Sequence, residues 1–366
     1  MKTLRVIGLM SGSSLDGLDV ALCVFSIGSP FSIRSWAIAA AETFPLPSGW
    51  VSRLRALPQA GALELAEAHA AFGEWMGRQA AVFMQKNQLR ADAVASHGHT
   101  IFHYPERHFT FQLGDGAALA VQCGLPVVCD FRASDVALGG QGAPLAPIAD
   151  KLLFGQYDFC LNLGGIANIS CHVGHRYVAY DVCGANQILN ALAALAGKTC
   201  DDGGVMAAAG SELPALSRLL DAETYFSAPY PKSLGNHWVQ TYSVRQCIDY
   251  QGNVEDRLHT ACLHIARQIA AQIRQLIARE GLKKNTYSML VTGGGAYNTF
   301  LIDCIHKACN EATELDLHIP DTATIDYKEA LLMALAGVLR LENTANCMAT
   351  VTGASRDAIG GAVYLP

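Results

Sequence analysis

Charge is the scarcest commodity in this sequence. Asp, Glu, Lys and Arg make up 16% of its 366 residues, against about 25% in an average globular chain. The net charge is −6 and no segment carries a run of Lys or Arg, which excludes the electrostatic footprint of a nucleic-acid binder. A small anion held by backbone N–H groups stays open. No stretch approaches the roughly 18 apolar residues needed to span a bilayer, so no membrane segment is expected. Lys2 and Arg5 precede an apolar run, but Gly8 and a polar turn break it before it forms a signal-peptide core. The twelve cysteines are scattered from Cys23 to Cys347 without one C-x-x-C pair; buried, reduced thiols in a soluble cytoplasmic protein are the expectation. Both standard nucleotide fingerprints, G-x-x-x-x-G-K-[ST] and a helix-opening G-x-G-x-x-G, are missing as well. A Walker-type NTPase and an ordinary Rossmann dehydrogenase therefore fall away.

What is present is apolar and organised. Apolar residues reach 51%, and a chain this long exceeds one hydrophobic core, so two lobes are expected. Residues 8–22, GLMSGSSLDGLDVAL, read as a β-hairpin with a polar glycine tip. The pattern returns at 159–173, FCLNLGGIANISCHV, suggesting two related lobes that each present a hairpin tip to a shared cleft. Between them lie a helical stretch at 62–88, the strand-like AVASHGHTIFHY, FTFQL and PVVCDF, and a glycine-rich loop at 137–150. YVAYDVCGAN reads as a further strand ending in an aspartate. The clearest helix is 255–280, with Leu258, Cys262, Ile265, Ile269, Ile273 and Leu276 on one stripe and Gly281 as terminator. It leads into YSMLVTGGGAYN, a strand ending in three glycines, and the last helix is expected to begin at Asp326.

Three glycine turns, at 8–17, 164–165 and 293–295, each follow an apolar strand. Glycines there allow positive φ and let backbone N–H groups reach phosphate oxygens. One such turn is ordinary; three, with Ser11, Ser13 and Ser14 in the first, favour a phosphate-binding cleft. Asp16, Asp19, Asp130 and Asp181 sit beside strand ends, where an acid is a turn former, a magnesium ligand through water, or a general base. Asp16 suits turn chemistry by position, and Asp130 has Arg132 close by for an internal salt bridge. Asp181 has no basic neighbour in sequence, and burial would improve it as a base. His97 and His99 would share one face of a strand, yet no third metal ligand has convincing spacing, so no metal site is assigned. Glu329, three residues after Asp326, reads as the second half of a capping box.

These strings, with SHGHTIFH, QLGDGAALA, VVCDFRASDVALGGQGAPLAP, LNLGGIANIS, VTGGGAYN, YKEA and VTGAS in order, resemble the signatures of the anhydro-N-acetylmuramic acid kinases over nearly the whole chain. The resemblance implies a two-lobed, actin-like ATPase (sugar kinase) fold: α/β, a mixed sheet with flanking helices in each lobe, and an active-site cleft between them. The first lobe would comprise 1–127 with about 345–366, and the second 128–344. It implies a cytoplasmic enzyme of peptidoglycan recycling, homodimeric, that uses Mg2+ and ATP to open 1,6-anhydro-N-acetylmuramic acid and phosphorylate O6. Asp181 falls at the place of the general base. Gly12, Ser13, Ser14, Leu15, Asp16, Gly17, Leu18 and Asp19 resemble the ATP phosphate loop, joined by Gly164, Gly165, Gly293, Gly294 and Gly295. His99, Asp130, Arg132, Asn186 and Glu329 correspond to positions near the sugar.

Two departures stand out. The family run T-G-P-G-N is replaced here by Val182-Cys183-Gly184-Ala185-Asn186, and His99 stands for the usual glutamine. They motivate two alternatives: a kinase for another 1,6-anhydro sugar such as levoglucosan, or a non-catalytic sugar or ATP sensor of the same fold.

Overall fold

The first two apolar runs do pair across the first glycine turn. In the computed structural model, which describes residues 1–12, 15–174, 176–311 and 313–366, β1 (Lys2–Met10) and β2 (Leu18–Gly28) are antiparallel with Met10 opposite Asp19. β3 (Ser32–Phe44) continues the meander on β2. The chain then crosses through helix Ala62–Lys86 to β4 (Ala93–Ser96), parallel to β1. β5 (His99–Tyr104) and β6 (Phe109–Leu113) form a separate two-stranded sheet, and β7 (Val127–Cys129) returns to lie parallel to β4. Helix Ala62–Lys86 turns Phe72, Met76, Ala80 and Phe83 into the core beneath this sheet, as its helical spacing of apolar residues requires.

The second sheet repeats the plan. β8 (Phe159–Leu163), β9 (Ile166–Val173) and β10 (Arg176–Gly184) form an antiparallel meander, and β11 (Thr286–Thr292) and β12 (Glu314–His318) add parallel strands on the far side of β8. β13 (Ala362–Tyr364) closes the chain by pairing antiparallel with β7 in the first sheet. Three antiparallel strands followed by two parallel ones therefore occur twice, matching the repeated strand, glycine turn, strand pattern. Helix Val254–Glu280 buries the whole predicted stripe from Leu258 to Leu276. Asn253 caps it by accepting the Asp256 N–H at 2.7 Å, and Gly281 ends it at φ 62°.

The compact units comprise 1–153 with 327–366, and 154–326, a division that does not coincide with the boundaries near 128 and 345. The reason is pairing and packing: β7 belongs to the first sheet, and buried Asp135 accepts the Thr352 hydroxyl at 2.7 Å. Helix Thr322–Leu341, kinked at Tyr327, lies so close to β1 that a Cβ on Gly8 would come within 1.8 Å of the Ala330 carbonyl oxygen. That contact leaves no room for any side chain at position 8.

Four local expectations are corrected. AVASHGHTIFHY is two strands, because Gly98 at φ 70° breaks it between His97 and His99, which consequently do not share one strand. The 137–150 loop gives way to helix Ala146–Leu153. β10 does not end at Asp181 but continues to Gly184 through a register shift between Asp181 and Cys183. The last helix begins at Thr322 with Asp321 accepting the Thr324 N–H at 2.7 Å, so Asp326 lies within its span, just before the kink at Tyr327, and among the described residues no capping box joins it to Glu329. Among the described residues no helix is long and apolar enough to cross a membrane.

Candidate active site

In the first unit, the β1–β2 tip is tightly built. Ser13 and Ser14 lie outside the described residues. Gly12 accepts the Leu15 N–H at 3.3 Å while Leu15 adopts φ 60°, an uncommon conformation for a non-glycine residue. A Cβ on Gly17 would fall 2.6 Å from the Thr43 methyl, and Leu18 is fully buried, so only its backbone could face a ligand. Asp19 accepts the Thr43 hydroxyl at 2.6 Å. His99 is buried, its Nδ1 lying 3.1 Å from the Ser11 hydroxyl.

Arg132 carries the positive charge of this unit's candidate site. Its Nε donates to His97 Nε2 at 3.0 Å and its Nη1 donates to the Gly142 carbonyl. The salt bridge expected with Asp130 is not made among the described residues; Asp130, at φ 62°, turns the backbone between β7 and Arg132. Partial desolvation raises the Asp130 pKa, opposed by the Ala133 N–H. Glu329 is also raised, by desolvation first and by the charges of Asp19 and Asp16, while Arg132 and Lys328 pull the other way. Asp16, Asp19, Arg132 and Glu329 thus form one electrostatically coupled group.

In the second unit, two glycine turns are braced together. Gly164 and Gly165 accept backbone N–H groups from Asn186 and Ala185 at 3.1 and 2.9 Å. The Asn186 amide donates to Leu163 O at 3.0 Å. A Cβ on Gly293, at φ 82°, would lie 2.7 Å from Asn162 Oδ1, and one on Gly295 would lie 2.6 Å from Leu163 Cβ. Positions 293 and 295 therefore admit only glycine, which keeps side chains off the backbone of this turn. Asn186 accordingly stands with the glycine turns.

Asp181 is held by a clamp that its sequence neighbours gave no hint of. Its Oδ2 accepts the Ser233 hydroxyl at 2.9 Å and the Leu234 N–H at 2.8 Å, and its main-chain carbonyl accepts the Tyr225 hydroxyl at 2.7 Å. Burial raises its pKa above the ordinary carboxyl value, and the two donors to Oδ2 oppose that rise. Oδ1 is the oxygen these two bonds leave for a proton. Lys232, next to Ser233, donates to the Tyr225 carbonyl at 3.1 Å and lies 4.7 Å from the centre of the Tyr225 ring. Burial lowers its pKa to about 8. The only advance signal for the clamp was the string PYPKSLGN, which reads as a turn. The departing residues Val182, Cys183 and Ala185 are all fully buried, so their side chains support the backbone after Asp181 and do not face solvent.

A carboxylate fixed at one oxygen with a raised pKa is suited to remove a proton from water. Glycine turns with bare N–H groups are suited to phosphate oxygens. Comparison with known proteins gives the family. The family model described as anhydro-N-acetylmuramic acid kinase matches residues 4–366. The anhydro-N-acetylmuramic acid kinase of Saccharophagus degradans is 31% identical over 100% of both chains. That of Sulfurovum sp. is 32% identical over 99% of both. Among solved structures, an activator of the 2-hydroxyisocaproyl-CoA dehydratase from Clostridium difficile superposes over 93% of this chain and 96% of its own, at a TM-score of 0.40 and 14% identity. By the full-length family match and by relatives above 30% identity along its whole length, the chain belongs to the anhydro-N-acetylmuramic acid kinase family.

Proposed function

We propose that this protein is an ATP-dependent kinase that opens 1,6-anhydro-N-acetylmuramic acid with water and phosphorylates its O6, giving N-acetylmuramic acid 6-phosphate and ADP. The observation that carries the reading is the family match over residues 4–366. In the reaction, water oxygen bonds to C1 as the C1–O6 bond breaks, O6 bonds to the γ-phosphorus, and the bond from that phosphorus to ADP breaks. The water proton passes to Asp181 Oδ1 and from there to solvent. Ser233 and Leu234 aim the carboxylate, and fixed geometry is the larger part of what such a base contributes.

Arg132, Glu329, His99 and Asp130 are assigned to the sugar. Gly12–Asp19, the turns at 164–165 and 293–295, and Asn186 behind them are assigned to ATP. Asp16 and Asp19 offer the hard oxygen donors that Mg2+ prefers; bound there, the ion would offset phosphate charge. A homodimer working in the cytoplasm on recycled cell-wall sugar is the setting the family suggests.

The test is sugar-dependent ADP release by wild type and Asp181→Asn, with Mg-ATP and the anhydro-muramic sugar. Wild type should release ADP only with the sugar, and the variant should lose about 10^2- to 10^4-fold. No sugar-dependent release by the wild type would overturn the proposal.

A further inference from the structure

Arg132 is held from two sides, and one of its partners has a defined protonation state. His97 Nδ1 lies 3.0 Å from the Gly98 carbonyl oxygen, which can only accept, so Nδ1 carries the hydrogen. Nε2 is then bare, and at 3.0 Å it faces Arg132 Nε, which can only donate. Both bonds demand the same tautomer. Gly98 aims its carbonyl from φ 70°, where a Cβ would lie 2.5 Å from Leu113 O. On the other side Arg132 Nη1 donates to Gly142 O, and the Gly142 N–H is tied at 2.7 Å to buried Asp135.

We propose that His97 is a positioning residue for Arg132: as a permanently neutral acceptor it fixes the guanidinium plane and leaves the Nη2 end for the sugar. This rests on the assignment of Arg132 to the sugar made above. Burial first, then the charge of Arg132 and, more weakly, His99 and His103, oppose protonation of the ring and outweigh the Gly98 carbonyl, bringing its pKa down to about 3. A charged histidine would lose the acceptor and set two cations together. No lysine or protonated group could replace it.

The test compares His97→Leu, His97→Gln, Arg132→Ala and the double variant His97→Leu/Arg132→Ala. His97→Leu removes the acceptor and should lower sugar-dependent kcat/KM about 10- to 100-fold, the worth of a hydrogen bond to a charged group. His97→Gln, whose amide oxygen can reach the Nε2 position, should recover activity to within about 5-fold of wild type. If His97 acts only through Arg132, the double variant should match Arg132→Ala within about 2-fold. Multiplying losses in the double variant, or no recovery in a folded His97→Gln protein, would overturn the proposal.

A second readout is independent of activity. In 15N-histidine-labelled wild type, His97 should show a bare Nε2 and a protonated Nδ1 from about pH 5 to pH 9; a protonated Nε2 would refute the assignment. It decides the matter even if the leucine variant does not fold. Absence of sugar turnover in the wild type, with the expected tautomer intact, would condemn the proposed function and leave the His97–Arg132 bond standing.

Discussion

Removing the Ser233 hydroxyl should move the acid limb of the pH–rate profile upward. Ser233 donates one of the two hydrogen bonds to Asp181 Oδ2, and such a bond favours the ionised carboxylate. A hydrogen bond to a charged group is worth about 1.5–3 kcal/mol, and water reaching a partly exposed carboxylate in the variant would restore about half of that. The net loss of about 0.75–1.5 kcal/mol corresponds to a rise of about 0.5–1 pH unit, added to the rise that burial already causes. Because a general base works only when ionised, the proposed role of Asp181 requires Ser233→Ala to shift the acid limb of kcat/KM up by about 0.5–1 pH unit, with a plateau within about tenfold of wild type. Ser233→Thr keeps the hydroxyl and should leave the limb in place. The assay is initial-rate ADP release at saturating Mg-ATP across pH. A limb unmoved by alanine, or moved to lower pH, would show that the hydroxyl does not stabilise an Asp181 carboxylate acting as the base.

Three further substitutions test the fold and its pH response. Gly8→Ala puts a methyl 1.8 Å from the Ala330 carbonyl oxygen; a loss of about 3 kcal/mol or more should appear as a lowered urea midpoint, and an unchanged midpoint would contradict this packing. Asn253→Ala removes the N-cap of Val254–Glu280 and should cost about 1 kcal/mol, read in the same titration. Lys232 has its pKa lowered to about 8 by burial, so above that value the folded state binds fewer protons than the unfolded one until the ordinary lysine range is reached. Stability should therefore rise with pH across that window in wild type relative to Lys232→Met; parallel curves would refute the buried-cation assignment.

Elements whose signal is periodic were legible in the sequence, and constraints from distant residues were not. The stripe from Leu258 to Leu276 predicts its helix because six buried residues repeat at one period, and Gly281 marks the end through φ alone. The last helix was placed four residues late because Asp326 and Glu329 imitate a capping box, whereas Asp321 supplies the cap that forms. Asp181 was singled out by its place in the strand and by family position, but the donors to its carboxylate come from 52 and 53 residues downstream, a distance over which local pattern carries no information. The same holds for Arg132: the adjacent Asp130 suggested its partner, yet the bond goes to His97, 35 residues upstream.

The duplicated strand order gives the glycine turns a common structural origin while their chemistry diverges. Each unit begins with a hairpin whose tip joins the first and second strands of its sheet, at 11–17 in one and 164–165 in the other. In the first, the tip carries Asp16 and Asp19, whose charges add to burial in raising the Glu329 pKa. In the second, the tip has no charged residue, and its carbonyls are taken up by the N–H groups that open helix Asn186–Leu195. A helix start that has spent its N–H groups on carbonyls has fewer left for an anion. In the turn after β11, by contrast, Gly293 and Gly295 exclude side chains. If, of the two turns assigned to ATP in that unit, residues 293–295 make the closer approach to phosphate, Asn186 acts from behind, through its bond to Leu163 O. On this division Asn186→Ala should raise the KM for ATP and leave the KM for the sugar within about 2-fold, since the lost bond is to Leu163 O beneath the turn. A rise confined to the sugar KM would return Asn186 to the sugar site and undo the division.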